Sequence, residues 1–146
     1  MKTKIMITTV LLLLFSVTSF AQTKEETIAW IKEKLEKHGG NEYYSYINVK
    51  VSPCSISFTG KFSKDGDTIY QKSFNPSTAK SWEVSSSSIS GIGADAAIIR
   101  TVFSDGDLNT TSALDIRNGE SDIHERMIKA LLHLATFCEE GKNEAF

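Results

Sequence analysis

Five apolar residues near the C-terminal end decide much of what this chain can become. Ile123, Met127, Leu131, Leu134 and Cys138 recur three or four positions apart, flanked by Ile128, Ala130, Ala135 and Phe137. Glu125, Lys129, His133, Thr136 and Glu140 take the other side. Steps of three and four stack side chains on one face of a helix. The spacing predicts an amphipathic helix over residues 121–140. Ser121 is placed to cap it, Asp122 and Glu125 suit its positive end, and Gly141 serves as its stop. Burying Met127, Leu131 and Leu134 contributes about 1.5–3 kcal/mol each. Such a face needs a broad apolar partner, so the residues before it must build one.

They do so with a different period. From Tyr43 to Ile116 the apolar residues alternate rather than step by three or four. Ile47, Val49 and Val51 alternate with Tyr46, Asn48 and Lys50; Ile56, Phe58 and Phe62 lie opposite Ser55, Ser57, Thr59 and Lys61. Alternation marks antiparallel strands with one wet face. Further strands are expected over 68–74, 81–88, 96–103 and 108–116, with Ala96-Ala97-Ile98-Ile99 as the central one. Asp65-Gly66 and Asp105-Gly106 supply tight-turn chemistry, and Asn75-Pro76-Ser77 marks a change of direction. The serine run from Ser85 to Ser90, followed by Gly91-Ile92-Gly93, reads either as a loop or as an edge strand. Ahead of the strands, Thr23 and Glu26 match a capping box. Ile28, Ile31 and Leu35 follow with Trp30 beside them, Glu33 and Lys37 can pair one turn apart, and Gly39-Gly40 ends the helix. The expected class is α+β: an N-terminal helix, a curved antiparallel sheet or barrel of six or seven strands, and a C-terminal helix packed on it.

Residues 1–21 stand apart. Lys2 and Lys4 precede an apolar run from Ile5 to Phe15, and Ser19-Phe20-Ala21 ends in the small residues a signal peptidase reads. Cleavage between Ala21 and Gln22 is expected, leaving one domain over 22–146 in the periplasm or outside the cell, without stable membrane insertion. With Lys2 and Lys4 removed, 14 basic residues face 18 acidic ones. No basic stripe forms, which argues against nucleic acid and anionic lipid as partners. Cys54 and Cys138 are either a disulfide, which an oxidising compartment permits, or two free thiols.

No reactive constellation is visible. His124-Glu125 opens like a zinc-protease helix, but Ile128 stands where the second histidine is required. Asp105, Asp107 and Asn109 have the spacing that begins a calcium loop, yet Thr110 replaces its glycine and Ile116 its bidentate glutamate. No metal and no cofactor is therefore expected. His38, His124 and His133 read as solvated residues. Cys138 lies on the apolar helix face, where a thiolate is disfavoured. Asn109-Thr110-Thr111 fits an N-glycosylation acceptor and Asp67-Thr68-Ile69 an O-glycosylation acceptor; chance explains both. Catalytic residues are not assigned. The remaining candidates for recognition are the aromatics Tyr43, Tyr44 and Tyr46, where the first helix gives way to the first strand, together with Trp82. They form a ligand-facing patch or cover the seam between helix and sheet.

The helix segment Glu125-Arg126-Met127-Ile128-Lys129-Ala130-Leu131-Leu132-His133-Leu134, closing a run of antiparallel strands, resembles the closing helix of pleckstrin-homology-like barrels. It is also similar to the tail of small uncharacterised secreted bacterial proteins. The resemblance implies a barrel closed by that helix; the alternation departs from it in giving six strands, and a seventh only if residues 85–94 contribute. It carries no lipid site, since no basic loop matches. Helix-grip and cystatin-like sheets are the other architectures considered. The functional expectation is an exported, non-enzymatic binding or interaction domain of unknown ligand or partner and unknown oligomeric state. An envelope hydrolase or small-molecule enzyme, and a structural subunit of an envelope assembly, are the alternatives.

Overall fold

The computed structural model describes residues 22–62, 68–93, 99–103, 106, 108–111 and 113–143. The segment 1–21, read from the sequence as an expected export signal, lies outside them, as do Asp65-Gly66, Ala96-Ala97-Ile98 and Asp105. The class is α+β. Helix α1 (Lys24–His38) precedes β1 (Tyr44–Ser52), β2 (Ser55–Phe62), β3 (Thr68–Phe74), β4 (Ser81–Ser85), β5 (Ser88–Ile92), β6 (Ile99–Phe103), β7 (Leu108–Thr111) and β8 (Ala113–Asp115). Helix α2 (Ile123–Asn143) follows. Two antiparallel sheets form where the alternation predicted one curved sheet or a closed barrel. The larger runs β1-β2-β3-β6-β7 and the smaller β4-β5-β8.

Three local features explain the division. Ser86 takes a left-handed backbone (φ 51°), so residues 81–88 turn back as a hairpin and do not continue as one strand. Ile89 and Gly91 are buried between the serines, and β5 becomes the middle strand of the smaller sheet, not an edge. The segment 108–116 breaks after Thr111, whose Oγ1 accepts the Ala113 N–H at 3.1 Å; β7 stays in the larger sheet and β8 joins the smaller. In β1, Asn48 has φ 54° at a bulge between Ile47 and Lys50. The extra residue re-aims the strand, so Tyr46 and Val49 are both buried while Ile47 is only half-buried. Phe62, expected beside Ile56 and Phe58, is 39% exposed at the strand's end.

Both helices form, with corrections at their ends. The Thr23–Glu26 capping box is complete, at 2.9 and 3.2 Å. Gly39 ends α1 in an extended conformation, not a left-handed one. A Cβ there would collide with the Leu35 carbonyl and the Tyr46 ring; Gly40 carries the positive φ, 102°. Lys37 reaches Glu120 rather than Glu33. Helix α2 starts at Ile123, after a left-handed Asp122, and runs through Gly141 to Asn143. Its face of Ile123, Met127, Leu131, Leu134 and Cys138 is buried as expected, the first four in one core with Ile31, Leu35, Tyr46, Ile56, Phe58, Phe74, Trp82, Ile89 and Leu114. A disulfide joins Cys138 to Cys54 in the β1–β2 turn, with Cα atoms 5.0 Å apart. Among the described residues no helix is long and apolar enough to cross a membrane.

Candidate functional site

Strand alternation gives the larger sheet two unlike faces. On the inner face the pairing sets Tyr46 opposite Gly60 and Gly60 opposite Tyr70. The Tyr70 phenol lies where a Cβ on residue 60 would be, so glycine is required there. Tyr46 stacks on Phe58 at 4.0 Å between centroids, and Tyr44 meets Tyr70 edge-on at 5.4 Å. The Tyr44 hydroxyl donates to Asp115 Oδ2 at the end of β8, and the Asp115 N–H donates to the Tyr46 hydroxyl at 3.2 Å. Burial, reinforced by the Asp115 carboxylate, pushes the Tyr44 phenol up to about 12, and burial also raises Tyr46 and Tyr70. Lys72 is 7% exposed, its Nζ 5.1 Å from the Tyr70 ring centroid and 5.9 Å from that of Tyr44. Burial lowers its pKa, and the Asp115 charge opposes that shift. The two rings stabilise the ammonium by cation–π attraction. This cluster seals the seam between the two sheets.

The outer face carries a groove of about 710 Å³ that crosses β1, β2, β3 and β6. Val49, Phe58 and Lys72, all buried, belong to its lining. Its surface consists of the residues that alternate with them: Asn48, Lys50, Ser57, Thr59, Gln71, Ser73 and Val102. Cross-strand pairing aligns them in rows, Lys50 with Ser57 and Ser73, and Thr59 with Gln71 and Val102. Lys32 and Glu36 of α1 close one end and pair with each other at 4.0 Å. The groove is hydroxyl- and amide-rich, with Lys50 as a cation that has no ion-pair partner among the described residues. Its described side chains present both donors and acceptors of hydrogen bonds. Among the described residues no three His, Cys, Asp or Glu side chains gather as a metal would need.

A third polar cluster fastens α1. Glu120 Oε1 accepts from Lys34 Nζ at 2.9 Å and lies 3.1 Å from His38 Nε2 and 3.4 Å from Lys37 Nζ; Arg126 Nη1 is 3.6 Å from Oε2. Lys34 first, then His38 and Lys37, hold the Glu120 carboxyl down at about 2. His38 and His124 are both buried, against the expectation that they are solvated. His124 Nε2 donates to the Ile116 carbonyl at 2.9 Å, and half-buried His133 reaches the Gln22 carbonyl at 2.8 Å.

The four aromatics singled out from the sequence part company. Tyr44 and Tyr46 join the seam cluster, Tyr43 is 63% exposed, and Trp82 is buried against Phe74 at 5.9 Å. None of the four lines the groove. Sequence reasoning passed over Lys72, although Tyr70, Lys72 and Phe74 share one parity and place a lysine on an aromatic face. It did mark Ser57 and Thr59 as the wet side of β2, where the groove lies. No family model, curated protein or solved structure matches this chain.

Proposed function

We propose that this is an exported, non-enzymatic binding domain and that the groove on the outer face of the larger sheet is its ligand seat. The groove carries this reading. It is a concave surface of ligand size, spanning four strands and equipped with donors and acceptors that the fold itself does not use as core. Export is supported by the charged, apolar and small-residue order of residues 1–21 and by the Cys54–Cys138 disulfide, which persists in oxidising compartments. Our support for kinship with pleckstrin-homology-like domains is a pair of antiparallel sheets with a terminal helix packed on the smaller one; a relative solved with the same strand order would test that kinship.

The groove is tested by titrating the isotopically labelled domain with a panel of small polar molecules, against Ser57→Trp. Saturable shifts of the Ser57, Thr59, Gln71 and Ser73 amides that vanish in the variant are expected. Ligand binding that leaves those amides unmoved and survives Ser57→Trp would overturn the assignment. Export is tested separately by the intact mass of the protein recovered outside the cytoplasm, which is expected to begin at Gln22.

A further inference from the structure

We infer that the groove accepts a short acidic oligosaccharide, its hydroxyls meeting the cross-strand rows and one carboxylate meeting Lys50. This rests on the groove being the ligand seat and names what fills it. The chemistry of the lining selects the class. Asn48, Ser57, Thr59, Gln71 and Ser73 offer both donors and acceptors. A sugar ring presents the matching set of hydroxyls around its rim.

Charge narrows the choice. Lys32 is satisfied by Glu36 at 4.0 Å, so the pair contributes no net charge at its end of the groove. Lys50 is exposed, and no carboxylate lies within ion-pair distance of it among the described residues. With the Lys72 ammonium set against the Tyr44 and Tyr70 rings, Lys50 is left to meet a carboxylate of the ligand. Length is consistent with several sugar units: neighbouring strands are about 4.8 Å apart, so β1 to β6 spans roughly 14 Å.

Other classes fit less well. A peptide gains affinity by adding to a strand edge or by filling apolar pockets. This groove lies on a sheet face whose strands are already paired in ladders, and among the described residues Val102 is its one exposed apolar wall. An apolar small molecule needs a mostly apolar lining, which the hydroxyl rows do not provide.

The test compares three probes by calorimetry and amide-shift titration on the intact domain: trigalacturonate, neutral galactotriose and a triglutamate peptide. Trigalacturonate is expected to bind at the Ser57, Thr59, Gln71 and Ser73 amides, and galactotriose about three- to fivefold more weakly, the effect of one exposed ion pair. Lys50→Gln should erase that difference, whereas Lys61→Gln, on β2 but outside the groove, should preserve it. Equal affinity for the charged and neutral sugars overturns the role of Lys50. Tighter binding of triglutamate than of either sugar overturns the saccharide class. Absence of any sugar binding also overturns it; the groove assignment then stands or falls on the panel titration against Ser57→Trp.

Discussion

The two helices are attached to the sheets by different physics. Helix α2 presents a full apolar face, with Ile123, Met127, Leu131 and Leu134 essentially removed from water, and is bonded covalently through Cys138. Helix α1 has a narrower apolar stripe of Ile31 and Leu35, and its C-terminal half is laced down by polar contacts. Glu120 gathers Lys34, Lys37, His38 and Arg126. The Arg117 N–H reaches the His38 carbonyl at 2.8 Å, and the Gly40 N–H reaches that of Asp115 at 3.0 Å. Apolar contact and a covalent bond are indifferent to mild acid and salt, whereas ion pairs are not. The attachment of α1 is therefore the adjustable one.

Four substitutions probe this difference. Replacing both cysteines by alanine opens a ring with a sequence separation of 84 residues. Chain entropy assigns such a ring about 4 kcal/mol, read as a lower denaturant midpoint; an unchanged midpoint would mean the bond adds nothing to α2's hold. Leu131→Ala leaves a cavity at a fully buried position and should cost about 3 kcal/mol, with little dependence on salt. Gly39→Ala forces a Cβ against the Leu35 carbonyl and the Tyr46 ring. About 2 kcal/mol is expected from that overpacking, with amide exchange accelerating first in α1.

Glu120→Gln gives the smallest change and the most diagnostic one. Glu120 is held near 2, below its ordinary value of 4.5. A carboxyl whose folded value is depressed stabilises the fold fully above the unfolded value, and that contribution is lost as pH falls through the folded one. Wild type should therefore exceed the variant in thermal midpoint above pH 4.5, and the two should converge as pH falls towards 2. High salt should narrow the same gap at neutral pH. A gap that persists unchanged into acid would show that Glu120 acts by shape, not by charge.

Element identity was more legible in the sequence than element boundaries and partners. Thr23 and Glu26 announced the start of α1 because a capping box is a local device, complete within four residues. The buried face of α2 was legible because five periodic positions repeat the same information. The strand errors share a cause: a one-residue irregularity shifts everything after it. Asn48 inserts a bulge with no glycine to mark it, which brings Tyr46 inward. Ser86 turns left-handed within a serine run that looks featureless. Thr111 ends a strand with its own hydroxyl. His38 and His124 were misplaced because their partners, Glu120 and the Ile116 carbonyl, are supplied by the loop before α2. The groove was half legible: alternation identified Ser57 and Thr59 as outward, but which strands lie beside β2 is a tertiary fact.

The disulfide also bears on how the chain matures. Cys54 and Cys138 lie 84 residues apart in sequence, so the ring cannot close until that whole stretch has been made. With two cysteines in the sequence there is one intramolecular pairing. Oxidative error thus takes the form of covalent dimers, visible on a non-reducing gel, instead of scrambled monomers. A single proteolytic nick anywhere inside the ring leaves the fragments tethered until a reductant is added.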